Sequence, residues 1–535
     1  MTEVLKTIFE RLKIRIEDEK SRFKYVNNNN DAIVGGTSFI WIGTEDNLIG
    51  DLNCHYEFIY RKYYNNEIIL TGVHIENPDK KFLFEKLKSL FKKNNLDKIP
   101  KTYNINLDCH YYLENGIPIN DENLVEKAYQ QLVKLDKKVG EEIKRIIKMN
   151  DNKALIEAFD LLTNSHNIIL HGAPGTGKTY LAKQIAEAMG AETCFVQFHP
   201  SYDYTDFVEG LRPVNKEGSK EIGFERKDGI FKQFCIKALT NLIDSQKKGS
   251  AENQETKKKN FVFIIDEINR GELSKIFGEL FFSIDPGYRV YFEALPKQPQ
   301  ENGNKEKDDS EQKNNNNKDN QNQNKKEIIT IKTQYSNMQE NPNEFDKALG
   351  VSEDKFKQDD YGHFFVPENV YIIGTMNDID RNVESMDFAF RRRFAFKEIK
   401  ATDTQNMLDN HKGLNGTKPE ETIIDVKTQQ GTVKTTVIDR MKNRMNNLNN
   451  AISGIDGLSS AYHIGASYFL QFKLPSDYKD KNEEKEKKNA ENAAFEDLWN
   501  YHLEPLLQEY LRGMEDADSK LKALKAAYEN DNKAE

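Results

Sequence analysis

Apolar and polar residues follow three different rhythms along the chain. Up to about residue 150, short strand-like runs (SFIWIG, YEFIYRKYY and EIILTGVHIE) accompany a helical segment over Lys81 to Lys93 and a charged, helix-like stretch leading to Met149. This mixture predicts a separate α+β module. From 151 to about 400, short apolar runs alternate with helical spacing. Asn167 to His171 (NIILH), Phe261 to Ile265 (FVFII) and Val370 to Gly374 (VYIIG) suit strands buried on both faces, while Leu181, Ile185 and Met189 recur every four residues. Such alternation predicts a parallel sheet covered by helices. From 401 to 535 the rhythm is helical, over Val437 to Ala451 and again over Ala494 to Arg512, whose apolar stripe includes Leu498, Trp499, Leu503 and Leu507. Pro505 is expected to kink or divide that second segment. The charged, alanine-rich residues from Glu515 onward are expected to extend a helix that frays into solvent.

One stretch breaks the pattern. Lys297 to Glu327 is polar throughout and contains no residue able to build a core, which predicts disorder. Its flanks, Tyr288 to Leu295 and Glu327 to Thr333, look strand-like, so a β-hairpin with an extended tip is expected, long surface insertions costing little stability.

Length and charge narrow the picture. At 535 residues the chain is too long for one core, and the rhythms place its divisions at 1–150, 151–400 and 401–535. The formal net charge of −10 means that any nucleic-acid contact must come from a local basic patch. The amino-terminal MTEVLKTIFERLK lacks the apolar centre of a signal peptide, and no run approaches the ~20 apolar residues of a membrane span, so a cytoplasmic protein is expected. Cys54, Cys109, Cys194 and Cys235 form no C-x-x-C pair and suit reduced thiols.

The chemistry is concentrated at the ends of the predicted core strands. Gly172, Ala173, Pro174, Gly175, Thr176, Gly177, Lys178 and Thr179 spell GAPGTGKT, a complete phosphate loop, and Tyr180 follows at the start of the predicted helix. Glycines let backbone amides close around phosphate, Lys178 is placed for the β- and γ-oxygens, and the Thr179 hydroxyl suits Mg²⁺. The second run ends in Asp266 and Glu267, a Walker B pattern in which the first carboxylate holds Mg²⁺ and the second polarises the attacking water. The third ends in Thr375, Met376 and Asn377. In the strand order of AAA+ proteins, Asn377 is the sensor 1 residue beside the γ-phosphate. Arg391, Arg392 and Arg393 follow at the end of a short helix, where ring-forming AAA+ proteins present arginines to a neighbouring nucleotide.

Together GAPGTGKT, QFHPSYDYTDFVEGLRP, DGIFKQF, IIDEINRGELSKIFGEL, VPENVYIIGTMNDIDRN and DFAFRRRF, in that order, resemble the McrB family of AAA+ GTPase subunits of modification-dependent restriction systems. The similarity continues through YHIGASYFL and the Trp499 segment, and so covers roughly residues 150 to 515. It implies an α/β fold: an AAA+ P-loop NTPase core with a parallel sheet and helical lid, preceded by the α+β module. It also implies a hexameric, DNA-acting motor in anti-phage defence, using Mg²⁺ and GTP, with a separate McrC-like endonuclease subunit. Asp380 and Arg381 complete the family's M-N-x-x-D-R signature, and Arg392 and Arg393 are the implied trans-acting fingers. Asp378 and Ile379 depart from the Thr and Ala that the family most often shows, which keeps ATP open as the substrate. No sensor 2 arginine is evident near Gly465 to Tyr468. The aromatic run FHPSYDYTDF reads as packing at a sheet-to-helix junction through Phe198, Tyr204 and Phe207, in preference to base or DNA contact by His199, Tyr202 and Tyr204.

In this family the region before the motor commonly recognises DNA, so 1–150 is expected to read a target sequence or modified base. Arg61, Lys62, Tyr63 and Tyr64 interleave basic and aromatic groups, although strand register alone produces such alternation. Pro78 and Asp79 begin a nuclease-like pattern that no E-x-K completes. The competing function is an AAA+ ATPase remodeller acting on a protein partner, with 1–150 as adaptor. A monomeric switch GTPase leaves the arginine run and the lid without a role.

Overall fold

The computed structural model describes residues 3–18, 23–25, 38–44, 54–63, 66–75, 81–94, 96–98, 110–112, 116–149, 152–215, 222–245, 258–296, 328–354, 356–379, 388–410, 414, 417, 422–428, 431–481 and 483–531. They fall into two compact units, Met1–Glu157 and Ala158–Glu535.

In the first unit an antiparallel sheet runs in the order Phe23–Tyr25, Ser38–Thr44, Cys54–Tyr63, Asn66–Ile75, His110–Tyr112, Asp97–Lys98, and Ile117–Pro118 also pairs with Asn66–Ile75. Strand alternation divides the side chains between two faces. Tyr56, Phe58, Ile69, Val73 and Ile75 share a core with Leu12, Leu87 and Leu132 of the helices Glu3–Ile16, Lys81–Lys93 and Leu124–Leu135. His55, Glu57, Ile59, Leu70 and His74 belong to the opposite face by register. The side chains of Arg61 to Tyr64, and the Pro78-Asp79 pair, lie outside the described residues.

The second unit is built on a parallel sheet in the order Ala395–Glu398, Asn167–Gly172, Val370–Asn377, Phe261–Asp266, Glu192–Gln197. Ile168, Ile373 and Ile264 lie in adjacent register and are fully buried, as strands covered on both faces require. The strand carrying Asn377 therefore lies between the phosphate-loop strand and the Walker B strand. Phe198, Tyr204 and Phe207 pack into the core of this unit, with the Phe198 and Phe207 rings 5.8 Å apart.

The structure departs from the sequence reading at the expected hairpin and at the carboxy terminus, and it resolves how Pro505 is accommodated. Among the described residues the expected hairpin is not formed: Pro286–Tyr288 and Phe292–Ala294 are 3₁₀ turns, and Ile331–Lys332 pairs with His363–Phe364 instead. Asp285 accepts a hydrogen bond from the Gly287 amide and Tyr288 stacks on Phe282 at 4.1 Å, which turns this flank away from strand geometry. The polar run between the flanks lies outside the described residues. At Pro505 the chain stays helical, but the α-helical hydrogen bonding is interrupted: a π-helical segment, Trp499–Leu503, joins Glu484–Leu498 to Glu504–Tyr510 and places the proline in the first turn of the latter.

The carboxy-terminal helix, Ala517–Tyr528, does not fray. Leu524 and Tyr528 are buried, the Tyr528 hydroxyl donates to the Phe495 carbonyl at 2.8 Å, and Asp531 accepts from Arg440 at 2.9 Å and Arg444 at 2.7 Å. A stripe at Leu521, Leu524 and Tyr528 gives this helix its packing face despite its charged composition. It closes a lid core with Val437–Ser453 and Trp499. Among the described residues, no helix is long and apolar enough to cross a membrane.

Candidate nucleotide site

Three parallel strands end side by side, and each delivers polar groups to the same edge. Asn167–Gly172 passes into the phosphate loop, where Gly172, Gly175 and Gly177 have φ of 148°, 74° and 79°, conformations that a side chain would strain. Gly177 begins the helix Lys178–Ala188, so the loop's amides and the helix N-terminus converge on one spot. The Thr176 hydroxyl donates to the Ala173 carbonyl at 3.0 Å. Lys178 is buried within the loop, its Nζ donating to the carbonyls of Ala173 at 2.8 Å and Gly172 at 3.2 Å. Pro174 is half-buried, and Tyr180 points outward and accepts a hydrogen bond from Gln184.

The neighbouring strands complete an oxygen cluster. Asp266 Oδ1 accepts from Thr179 Oγ1 and from Thr375 Oγ1, both at 2.6 Å. The next residue, Glu267, has φ 52° and ψ 46°, which turns its side chain back toward the strand ends. There Asn377 Nδ2 donates to Glu267 Oε1 at 2.8 Å and Arg270 Nε donates to Oε2 at 3.2 Å. Thr375 and Arg270 carried no role in the sequence reading. Both signals are local: Thr375 precedes Asn377 by two on a strand and so shares its face, and the Glu267 turn brings Arg270 back on its own carboxylate.

The three arginines part company. Arg391 and Arg392 are exposed, Arg391 lying 4.9 Å from the Phe396 ring centroid. Arg393 is buried in its own subunit, where its guanidinium donates to the Ala389 carbonyl and lies 5.1 Å from the Phe281 ring centroid. Its carbonyl accepts from Asn167 Nδ2 at 3.0 Å, and Asn167 Oδ1 accepts from Arg289 at 2.6 Å. Of the two arginines implied as fingers, Arg392 is exposed and Arg393 is held within its own subunit's core. Asp380 and Arg381 lie outside the described residues, whereas Asp378 is paired with His171 at 3.1 Å.

Among the described residues, the contacts of the lid with the loop come from Ser467, Thr404 and Gly465. Ser467 N donates to the Gly175 carbonyl at 3.0 Å, and Thr404 Oγ1 donates to the Thr176 carbonyl. Gly465 approaches Gly175 so closely that an added Cβ would lie 2.0 Å from the Gly175 carbonyl carbon. Beside this contact is a cavity of about 440 Å³, lined by Ala173, Glu398, Lys400, Asn446, Asn450 and His463 among others. Burial holds the His463 imidazole below its usual pKa, partly offset by Glu398.

Sequence comparisons agree with this architecture. The AAA domain family, dynein-related subfamily, matches residues 167–394, and the McrB alpha-helical lid domain matches 440–518. The chain is 31% identical over 318 residues to the Type IV methyl-directed restriction enzyme EcoKMcrB subunit of Escherichia coli, a match covering 58% of this chain and 48% of that one. It is 24% identical over 301 residues to the Type II restriction enzyme BsuMI component YdiS of Bacillus subtilis, covering 50% of this chain and 69% of that one. The chain thus spans about half the length of the first relative.

Proposed function

Because the chain is an McrB-like AAA+ protein, we propose that it is the GTP-hydrolysing motor subunit of a DNA restriction complex, working as a ring with a separate McrC-like endonuclease. The observation that carries this reading is the joining of Thr179, Asp266, Thr375, Asn377 and Glu267 at one sheet edge of a core that bears an McrB-type lid.

The donor set suits Mg²⁺, since Thr179 and Asp266 offer hard oxygen ligands 2.6 Å apart. When bound, Mg²⁺ supplies neutralisation of charge on the β- and γ-phosphate oxygens. Loop amides and Lys178 bind and orient the phosphates. Asn377 senses the γ-phosphate by moving its amide from Glu267 Oε1 to a phosphate oxygen, which frees that carboxylate oxygen to accept a proton from the attacking water. Arg392 of a neighbouring subunit stabilises the developing charge.

The cavity supports a guanine reading. The Glu398 side chain brings carboxyl oxygens to the cavity lining, acceptors that match the adjacent N1–H and N2–H₂ donors of guanine, while adenine presents an acceptor at N1. The amino-terminal module is proposed to read the DNA target. The test is DNA cleavage by this chain combined with the nuclease encoded beside it. Cleavage that requires GTP hydrolysis and is lost in Lys178→Ala supports the reading. An adjacent gene with no nuclease, together with nucleotide-driven action on a protein, would replace it with the remodeller reading.

A further inference from the structure

The second face of the amino-terminal sheet brings together three side chains that the nucleotide site does not use. His55 and Glu57 are two apart on one strand and therefore share a face, and the register sets His74 opposite His55 and Gly72 opposite Glu57. Gly72 adds no side chain to this row. His55 is 2% and Glu57 0% exposed, and His74 is half-buried. The ligand atoms of the three residues all lie within 4.8 Å of one another, and His55 Nε2 is 3.3 Å from His74 Nδ1 with the rings at 82°.

That nitrogen spacing is informative. Two nitrogens each ~2.0 Å from one ion at a tetrahedral angle stand about 3.3 Å apart. At 3.3 Å the same two nitrogens are also within hydrogen-bonding reach, so a proton shared between the rings is the arrangement the ion would replace. A carboxylate withdrawn from water beside two imidazoles carries a high desolvation cost, which a divalent cation offsets. Two nitrogens and one oxygen, with no thiolate, suit Zn²⁺ and its first-row neighbours; Ca²⁺ and Mg²⁺ prefer oxygen alone, and Cu⁺ prefers sulfur.

We propose that His55, Glu57 and His74 bind one divalent transition-metal ion, with Zn²⁺ as the fitting probe, pinning the two central strands of this sheet together. His55 and Glu57 are buried, and three protein ligands leave the fourth tetrahedral position to a water molecule. The competing arrangement is a metal-free cluster in which the histidines and the carboxylate share protons.

The test uses the full chain, stripped with a chelator, titrated with Zn²⁺ or Co²⁺ and passed through gel filtration before elemental analysis. Wild type and Lys178→Ala should each retain one equivalent, because the nucleotide site is separate. Glu57→Gln, nearly isosteric, and His74→Ala should each bind at least ~100-fold more weakly, and both should lose the visible absorption of bound Co²⁺. Zn²⁺ should raise, and chelator lower, the temperature at which the wild-type amino-terminal unit unfolds. Retention of less than a tenth of an equivalent by wild type, a melting temperature indifferent to Zn²⁺ and chelator, or undiminished binding in both variants would overturn the proposal. The wild-type measurements decide the matter even if a variant fails to fold.

Discussion

Replacing Arg392 or Arg393 by Ala should damage the protein in two different ways. Arg392 is exposed just after the helix Phe388–Arg391, where its removal opens no core. If it serves a neighbouring nucleotide, Arg392→Ala should reduce kcat by ~10³-fold, about 4 kcal/mol of transition-state stabilisation, at unchanged nucleotide affinity and melting temperature. Arg393 is buried, bonded to the Ala389 carbonyl and packed near Phe281. Arg393→Ala should cost about 3 kcal/mol in lost packing and hydrogen bonding, read as a fall of roughly 5 °C or more in Tm. The assay pairs steady-state hydrolysis with thermal unfolding, followed by mixing. Inactive Lys178→Ala supplies intact arginines and inactive Arg392→Ala supplies an intact nucleotide site, so mixed rings should regain part of the hydrolysis. Wild-type kcat in Arg392→Ala, or mixed rings that assemble yet recover nothing at any ratio, would refute the reasoning.

Three further perturbations probe other parts of the account. Glu398→Gln should lower the ratio of GTP to ATP affinity at least ~10-fold in competition binding, since one of two acceptor oxygens facing the guanine donors becomes a donor NH₂. An unchanged ratio would move base recognition elsewhere in the cavity. Burial raises the Asp531 carboxyl pKa, but hydrogen bonds from Arg444 and Arg440 outweigh it and hold the group below its usual value. This contribution is therefore fully present above the unfolded value of about 4 and is lost as pH falls through the lower folded value. Asp531→Asn should destabilise the lid at neutral pH by about 3 kcal/mol and flatten that acid limb in a plot of Tm against pH. Deleting Gln298 to Lys326, a run with nothing to bury, should leave assembly and hydrolysis within twofold of wild type by sizing and turnover assays.

What could be read in the sequence was whatever is contiguous. The phosphate loop, Asp266-Glu267 and Asn377 are short signatures at the ends of apolar runs, so strand, turn and chemistry occur within a few residues of each other. Glu398, Asn446 and His463 meet at one cavity only after the lid folds back, and no local spacing announces them. Arg392 and Arg393 are adjacent letters of equal chemistry. They differ because a turn carries one outward and the other toward Phe281, a distinction that lies in the fold alone. The flank Tyr288 to Leu295 has strand composition, yet the Asp285 cap and the Phe282 stack override that local preference. Charged composition likewise concealed the stripe of Ala517–Tyr528, whose docking depends on arginines more than seventy positions earlier.

The central claim, that this sheet edge hydrolyses a nucleotide, is tested most directly by Mg²⁺-dependent turnover in Glu267→Gln beside wild type at saturating GTP, with nucleotide binding measured in parallel. The predicted result is wild-type-like affinity with turnover reduced at least ~10²-fold, because the loop, Lys178 and Asp266 remain and only water activation is removed. Turnover equal to wild type in that variant, with binding intact, would contradict the assignment of the site.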